Sequence, residues 1–324
     1  MSHPSLPKPP YDDHATPALC LLEDQGVLAV SGPDAAKFLQ GQVTCDVNAL
    51  AIGASVGGAR CTPKGRMQAS FRLLRQDEHS YLLGMPAERV SALQAELSRY
   101  AVFFKVKLED ASAQWIRLGL LGELQPLLTQ LPQDHGALAV QDNAGLPELW
   151  LPQEAATSAD TLTRLSECCA SASPERWQLA RIRGGFAEVC ADTSEHFIPQ
   201  MFNLQVLGAI SFRKGCYTGQ EIVARMQYLG KLKRRLYRFA LSQGPCPAPG
   251  EDIVDADGKV IGEVANAASH AGSLEMLAVV QTDAAQSAAL SLCQHPQTQL
   301  QLLPLPQDAQ LAAALQQQQE EKNP

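Results

Sequence analysis

Apolar positions recur along this chain with two periods, and the alternation between them predicts its elements. Strand-like runs cover 19–30, ending at Ser31-Gly32-Pro33, then 55–61 and 66–75 around a turn at Thr62-Pro63-Lys64-Gly65. Further strands are expected at 80–85 and 115–121, with a hairpin over 137–151 about Asn143-Ala144-Gly145. Helical spacing appears at Val90, Leu93, Leu97 and Tyr100, behind Pro86 at a first-turn position. Asp34 reads as the N-cap of a short helix through Phe38 and Leu39. Helices are also expected over 124–131 and 158–170. Ser173-Pro174-Glu175 supplies a cap, a first-position proline and a first-turn acid for a helix carrying Trp177, Leu179, Ala180 and Ile182. Beyond Pro245, Pro247, Pro249 and Gly250, the pair Asp257-Gly258 marks a hairpin, and 274–280 and 290–303 add strands. This succession predicts an α+β protein with antiparallel hairpins, not a doubly wound parallel sheet, followed by a small β-barrel. The tail from 309, with four glutamines at 316–319, reads as a frayed helix or a disordered end.

Composition narrows the function classes. With 324 residues, 45% apolar and 19% charged, the chain has the make-up of an ordinary globular protein of two or three domains. No run approaches the ~20 apolar residues that span a membrane. The Pro-rich, acid-containing stretch 1–13 lacks the blocks of a signal or transit peptide, so a cytoplasmic location and no membrane partner are expected. Nine cysteines, an odd number with no C-x-x-C pair and no zinc spacing, argue against a disulfide framework or a structural zinc. Cys168 and Cys169 lie in a helix-like stretch, where adjacent side chains face different directions. No glycine-rich nucleotide motif is present.

Charge is unevenly distributed. Between 212 and 238, eight Lys or Arg face one acid, Glu221, a local +7 that leaves −15 on the remainder of a chain with net charge −8. Such a reversal attracts anions, or it is a solvated basic edge that blocks aggregation. The acidic remainder and the lack of an RNA-binding motif argue against a nucleic-acid partner.

Inside the basic stretch lies Lys214-Gly215-Cys216-Tyr217-Thr218-Gly219-Gln220-Glu221. Cationic neighbours favour the thiolate, the reactive form of cysteine, and glycines permit close backbone approach. Cys216 in this setting can serve as a nucleophile, a metal or cluster ligand, or a redox switch. Arg60, Lys64 and Arg66 gather about the earlier turn, as contacts for a carboxylate or phosphate or simply as soluble turn residues.

The octapeptide resembles the signature of the YgfZ family of folate-binding, aminomethyltransferase-like proteins. Phe38-Leu39-Gln40-Gly41-Gln42-Val43-Thr44, Thr62-Pro63-Lys64-Gly65-Arg66 and Phe197-Ile198-Pro199-Gln200-Met201-Phe202-Asn203-Leu204 resemble the same family, in order, from about residue 20 onward. The resemblance implies an aminomethyltransferase-like fold: flexible residues 1–18, a folate-binding α+β region of two subdomains over 19–240, a C-terminal β-barrel over 241–306 and a flexible tail over 307–324. It implies a tetrahydrofolate site in a central cavity, no stable metal, and a role as accessory factor in assembly or repair of iron–sulfur proteins, including enzymes that modify tRNA. Cys216 is then the reactive thiol. Trp177 helps hold the pterin, Arg213, Lys214 or Arg225 neutralises the carboxylate tail, and Tyr217, Gln220 and Glu221 complete the site. A departure stands at Gln25: family members can carry an aromatic there, after a Leu-acid-acid stretch that is Leu22-Glu23-Asp24 in this chain. Relatives of the fold include folate-dependent aminomethyltransferases and demethylases. Such chemistry needs a placed carboxylate, for which Asp46, Glu188, Asp192 and Glu195 are available. Fold alone does not choose between these activities.

Overall fold

The computed structural model describes residues 17–122, 138–140, 146–154, 165, 167, 169–228, 230, 232–287 and 289–322. The helix expected over 124–131, the turn at 143–145, Cys168 and most of 158–170 lie outside them.

The apolar run 19–30 is two strands. β1 (Ala18–Leu21) and β2 (Gln25–Ser31) are separated by a turn at Leu22–Asp24 and enter different sheets. β2 joins β3 (Ser55–Cys61), β4 (Met67–Arg75), β5 (Ser80–Pro86) and β6 (Lys107–Asp110) in a sheet of order β3-β4-β5-β2-β6. Two helices cover one face. Val90, Leu93 and Leu97 of α2 (Ala87–Ala101) and Phe38 and Leu39 of α1 (Ala35–Gln40) share a core with Leu28, Val30, Leu73 and Leu83 of the strands. Asp34 does not cap α1 through its side chain. Its Oδ2 accepts instead from the Lys105 N–H (2.8 Å), tying the start of α1 to the approach of β6.

β1 pairs antiparallel with β7 (Trp115–Leu121) and parallel with β10 (Ala170–Ser171), and β9 (Glu148–Pro152) and β8 (Leu138–Val140) complete a second sheet of order β10-β1-β7-β9-β8. α3 (Pro174–Gly184) begins as its sequence predicts: Ser173 Oγ accepts from the Arg176 N–H at 3.3 Å, and Gly185 closes it in the left-handed region at φ 79°.

The third sheet has the order β15-β12-β13-β14-β11-β16, from β11 (Arg234–Leu241), β12 (Asp252–Val254), β13 (Val260–His270), β14 (Ser273–Gln281), β15 (Ser291–Leu292) and β16 (Leu300–Leu303). β11 is hydrogen-bonded along its length to β14, so this sheet starts at Arg234, ahead of the 241 boundary. α3 lies against β13 and β14. The tail is helical over α5 (Asp308–Lys322), and its beginning is anchored by buried Leu311 and by Gln307, whose Nε2 donates to the last carbonyl of α3, Gly184 O (2.6 Å). The first and third sheets meet with α3 in one core that includes Cys61 and Met67, Ile182, Phe202, Val223 and Leu277. A fully buried ring such as Phe202 contributes about 1.5–3 kcal/mol to holding them together.

Candidate functional site

All four sequence motifs converge on that junction. The cysteine loop lies on the turn before β4. At Gly219 the backbone has φ 85°, and a Cβ there would stand 2.5 Å from Thr62 O and 3.0 Å from Cys61 Cβ. Gly65, at φ 72°, likewise faces Ile222 of α4 (Gln220–Tyr228), 2.9 Å from where its Cβ would be. Both positions need glycine, for conformation and for space. From the other side the segment after α1 holds the loop: Thr218 N donates to Gly41 O (3.2 Å), Ser211 N to Thr44 O (2.9 Å), and Thr44 Oγ1 to Ala209 O (2.7 Å). The fourth motif forms a short 3₁₀ turn at Pro199–Phe202, and Gln200 Nε2 donates to Val223 O (2.6 Å) within α4.

Lys214 and Tyr217 point inward. Lys214 Nζ donates to Val43 O (2.8 Å) and Cys45 O (2.7 Å) and lies 5.1 Å from the centre of the Tyr217 ring. Burial lowers its pKa to about 8, against the pull of Cys45 and Asp46. Burial also raises the Tyr217 phenol, and it pushes the thiols of Cys45 and Cys61 up to about 12. Lys214 opposes the shift at Cys45, and Arg60 that at Cys61. Those two thiols are therefore inert packing under the loop. Cys216 is exposed between these buried anchors, in company with exposed Arg213, Gly215, Glu221 and Arg225; Gln220 is half-buried at the start of α4.

Trp177 lies elsewhere. It is 1% exposed in a core with Cys20, Leu121 and Ala180, its ring filling the space above Gly119, and its indole N–H finds no partner among the described residues. The turn cations diverge as well. Arg60 is buried, with its guanidinium 5.2 Å from the Tyr100 ring centre, and Arg66 donates to His196 O.

A second polar assembly, largely unmarked in the sequence, lies where the sheets meet. Glu148 of β9 accepts from Arg72 of β4, from Arg117 of β7 (2.7 and 3.0 Å) and from the indole of Trp150 (2.7 Å). Burial opposes its ionisation, but the two guanidinium groups and the indole prevail and hold its pKa at about 2. Arg117 also donates to Gln25 Oε1 (3.3 Å), which fixes the amide so that Gln25 Nε2 donates to Glu188 Oε2 (3.1 Å). Glu188 pairs with Arg181 of α3, and its backbone N–H donates to Asn266 Oδ1 on β13 (2.8 Å). Burial opposes the charge on Glu188, yet Arg181 above all holds its carboxyl below the ordinary range. Gln25 thus takes a polar place in this assembly where an aromatic was the family expectation.

Arg72, Arg181 and Glu188 border a cavity with Ser70, Phe71 and Phe186. Its volume, about 50 Å³, suits a few waters; pockets for larger organic ligands run to roughly 300–1,000 Å³. The lining nonetheless offers what a pterin needs: two phenyl faces, a carboxylate for ring N–H donors, and guanidinium groups for a carbonyl or carboxylate. The residues fit such a ring in chemistry, and admitting it requires side chains such as Phe186 to move. No group of three or more His, Cys, Asp or Glu suited to a metal ion occurs among the described residues.

Three sheets in this order, the last in a C-terminal β-barrel domain, define an aminomethyltransferase-like fold. The aminomethyltransferase T of the glycine cleavage system from Bartonella henselae superposes with a TM-score of 0.67 over 90% of this chain and 86% of that one, at 17% identity, a likeness of fold. Residues 233–312 match the C-terminal β-barrel domain of CAF17. The chain is 36% identical over 252 residues to the tRNA-modifying protein YgfZ of Colwellia psychrerythraea, covering 75% of this chain and 76% of that protein. It is 38% identical over 250 residues to that of Photorhabdus laumondii, covering 72% and 74%. With that of Yersinia pseudotuberculosis it shares 33% over 323 residues, 94% and 96% of the two chains. This chain belongs to the YgfZ family, as its cysteine octapeptide indicated.

Proposed function

We propose that the protein is a folate-binding accessory factor for assembly or repair of iron–sulfur proteins, tRNA-modifying enzymes among them, acting in the cytoplasm with Cys216 as its reactive thiol. The observation that carries this reading is the placement of Cys216, an exposed thiol on a loop that Lys214, Tyr217 and two tightly fitted glycines hold in place. A tetrahydrofolate, when bound, supplies a carrier of one-carbon units or an electron-rich reductant. Glu188 and Arg181 hold its ring edge, Phe71 and Phe186 its faces, and Gln25, oriented by Arg117, keeps Glu188 in position. One cysteine does not hold a cluster that takes four thiolates, so any cluster handled here takes its other ligands from a client or a small thiol. Trp177, buried behind β7, supports the fold in this reading and does not contact the ring.

Complementation tests the reading. In a host lacking its own homologue, wild type restores the activity of a [4Fe–4S] enzyme under oxidative stress and Cys216→Ala does not. Titration of purified protein with tetrahydrofolate shows binding that Glu188→Gln weakens about tenfold, the worth of one charged hydrogen bond. Rescue by Cys216→Ala removes the thiol from the function, and absence of folate binding removes the cofactor. Turnover of an aminomethyl donor with methylene-tetrahydrofolate formation would replace this reading with one-carbon transfer.

A further inference from the structure

The described cations between 212 and 238 divide into two sets. Lys214 is consumed under the loop, Arg235 lies against Tyr237 with Nε 3.0 Å from its hydroxyl, and Arg238 pairs with Glu275 at 2.9 Å. Arg213, Arg225, Lys233 and Arg234 make no ion pair or side-chain hydrogen bond among the described residues. Near them in the chain is an aromatic pair, with Arg213 next to Phe212, Arg225 one helical turn before Tyr228, and Lys233 and Arg234 at the approach to β11. Tyr228 is 55% exposed, three residues after Arg225 and hence on the same side of α4, and its ring meets Phe212 at 6.0 Å and 70°. Phe212 is rooted on the central core, so the pair is a fixed surface and not a loose side chain. Arg213 is the next residue after Phe212, and Cys216 follows three residues later.

Unpaired cations on a chain of net charge −8 make a local field opposite to that of the whole molecule, suited to an anion. The exposed phenol ring of Tyr228, one turn from Arg225, adds a flat face on which a base stacks. An acidic peptide matches the charges but leaves that face unused. We propose that Phe212, Tyr228, Arg213, Arg225, Lys233 and Arg234 form a binding surface for a single-stranded stretch of nucleic acid, with a base on Tyr228 and phosphates on the cations, beside Cys216. The acidic remainder of the chain and the lack of an RNA-binding motif argue against such a partner from sequence; the four unpaired cations are a local exception to that balance.

Fluorescence anisotropy with a short labelled RNA, and with DNA of the same sequence, tests this on the full chain. Three or four neutralised phosphates give a log K against log salt slope of about −2 to −3. Arg213→Ala with Arg225→Ala makes the slope shallower by about 1.4, as two contacts are lost. Tyr228→Ala lowers affinity about tenfold at every salt concentration and leaves the slope unchanged, since stacking releases no ions. Preference for the RNA strand assigns the partner to RNA, and equal affinity assigns a surface for single strands of either kind. Cys216→Ala binds as wild type does. All the altered side chains are on the surface, and matching thermal melts exclude misfolding as a cause. Absence of salt-dependent binding overturns the proposal. So does a Tyr228→Ala variant that binds as wild type while poly-glutamate competes charge for charge, which would mark a docking site for acidic protein.

Discussion

Lys214 holds its charge in a place that disfavours it. Its two carbonyl partners, Val43 and Cys45, belong to the segment after α1, so one ammonium joins the cysteine loop to a chain stretch about 170 residues earlier. Lys214→Met leaves both carbonyls without that donor and lowers stability by about 2 kcal/mol in urea unfolding. The pH dependence has a definite sign. In the unfolded chain the lysine keeps its ordinary pKa of 10.5, above the folded value of about 8. Between those values the unfolded state binds more protons, so this residue's contribution rises as pH goes from 8 to 10.5. Unfolding measured across that window shows a rise for wild type that Lys214→Met lacks.

At the scale of elements, loop and turn are shaped to each other. Gly219→Ala places a Cβ against Thr62 O in a left-handed backbone conformation and costs about 1–3 kcal/mol. The loop then sits differently, and the rate at which Cys216 reacts with a disulfide reagent changes; an unaltered rate would show that the fit does not position the thiol. Much of this level is legible from residues alone. The octapeptide, the turn at 62–65, the capped start of α3 and the spacing of α2 are local signals, and the structure bears them out. Asp34 is the instructive exception: a residue suited to capping took a partner from Lys105, brought near only by folding. Trp177 packs on Gly119 behind β7, a placement its position near a motif in sequence does not reveal. Glu148, Arg72 and Arg117 were invisible for a similar reason. Each is an ordinary charged residue in an apolar run, and only the meeting of two sheets gives them one another.

For the molecule as a whole, that polar assembly is a joint. Arg72 belongs to the first sheet, Arg117 and Glu148 to the second, and Glu188 leads through Asn266 to the third. Glu148→Gln leaves buried guanidinium groups without their counter-charge and destabilises by about 3–5 kcal/mol, read from urea unfolding. For wild type, the carboxylate's contribution is complete above 4.5 and is lost as pH falls toward about 2, since protonating Glu148 then favours the unfolded chain. A stability–pH curve flat across that interval would deny Glu148 this role. The split of the first apolar run has a consequence of another kind, in the order of synthesis. β2 finds its partners by residue 110, whereas Ala18 on β1 pairs with Leu121 and with Ala170. At about 5–20 residues per second, β1 waits several seconds longer for its full set of neighbours than β2, the strand immediately behind it. During that time β1 is an unpaired apolar strand, open to pairing with another chain.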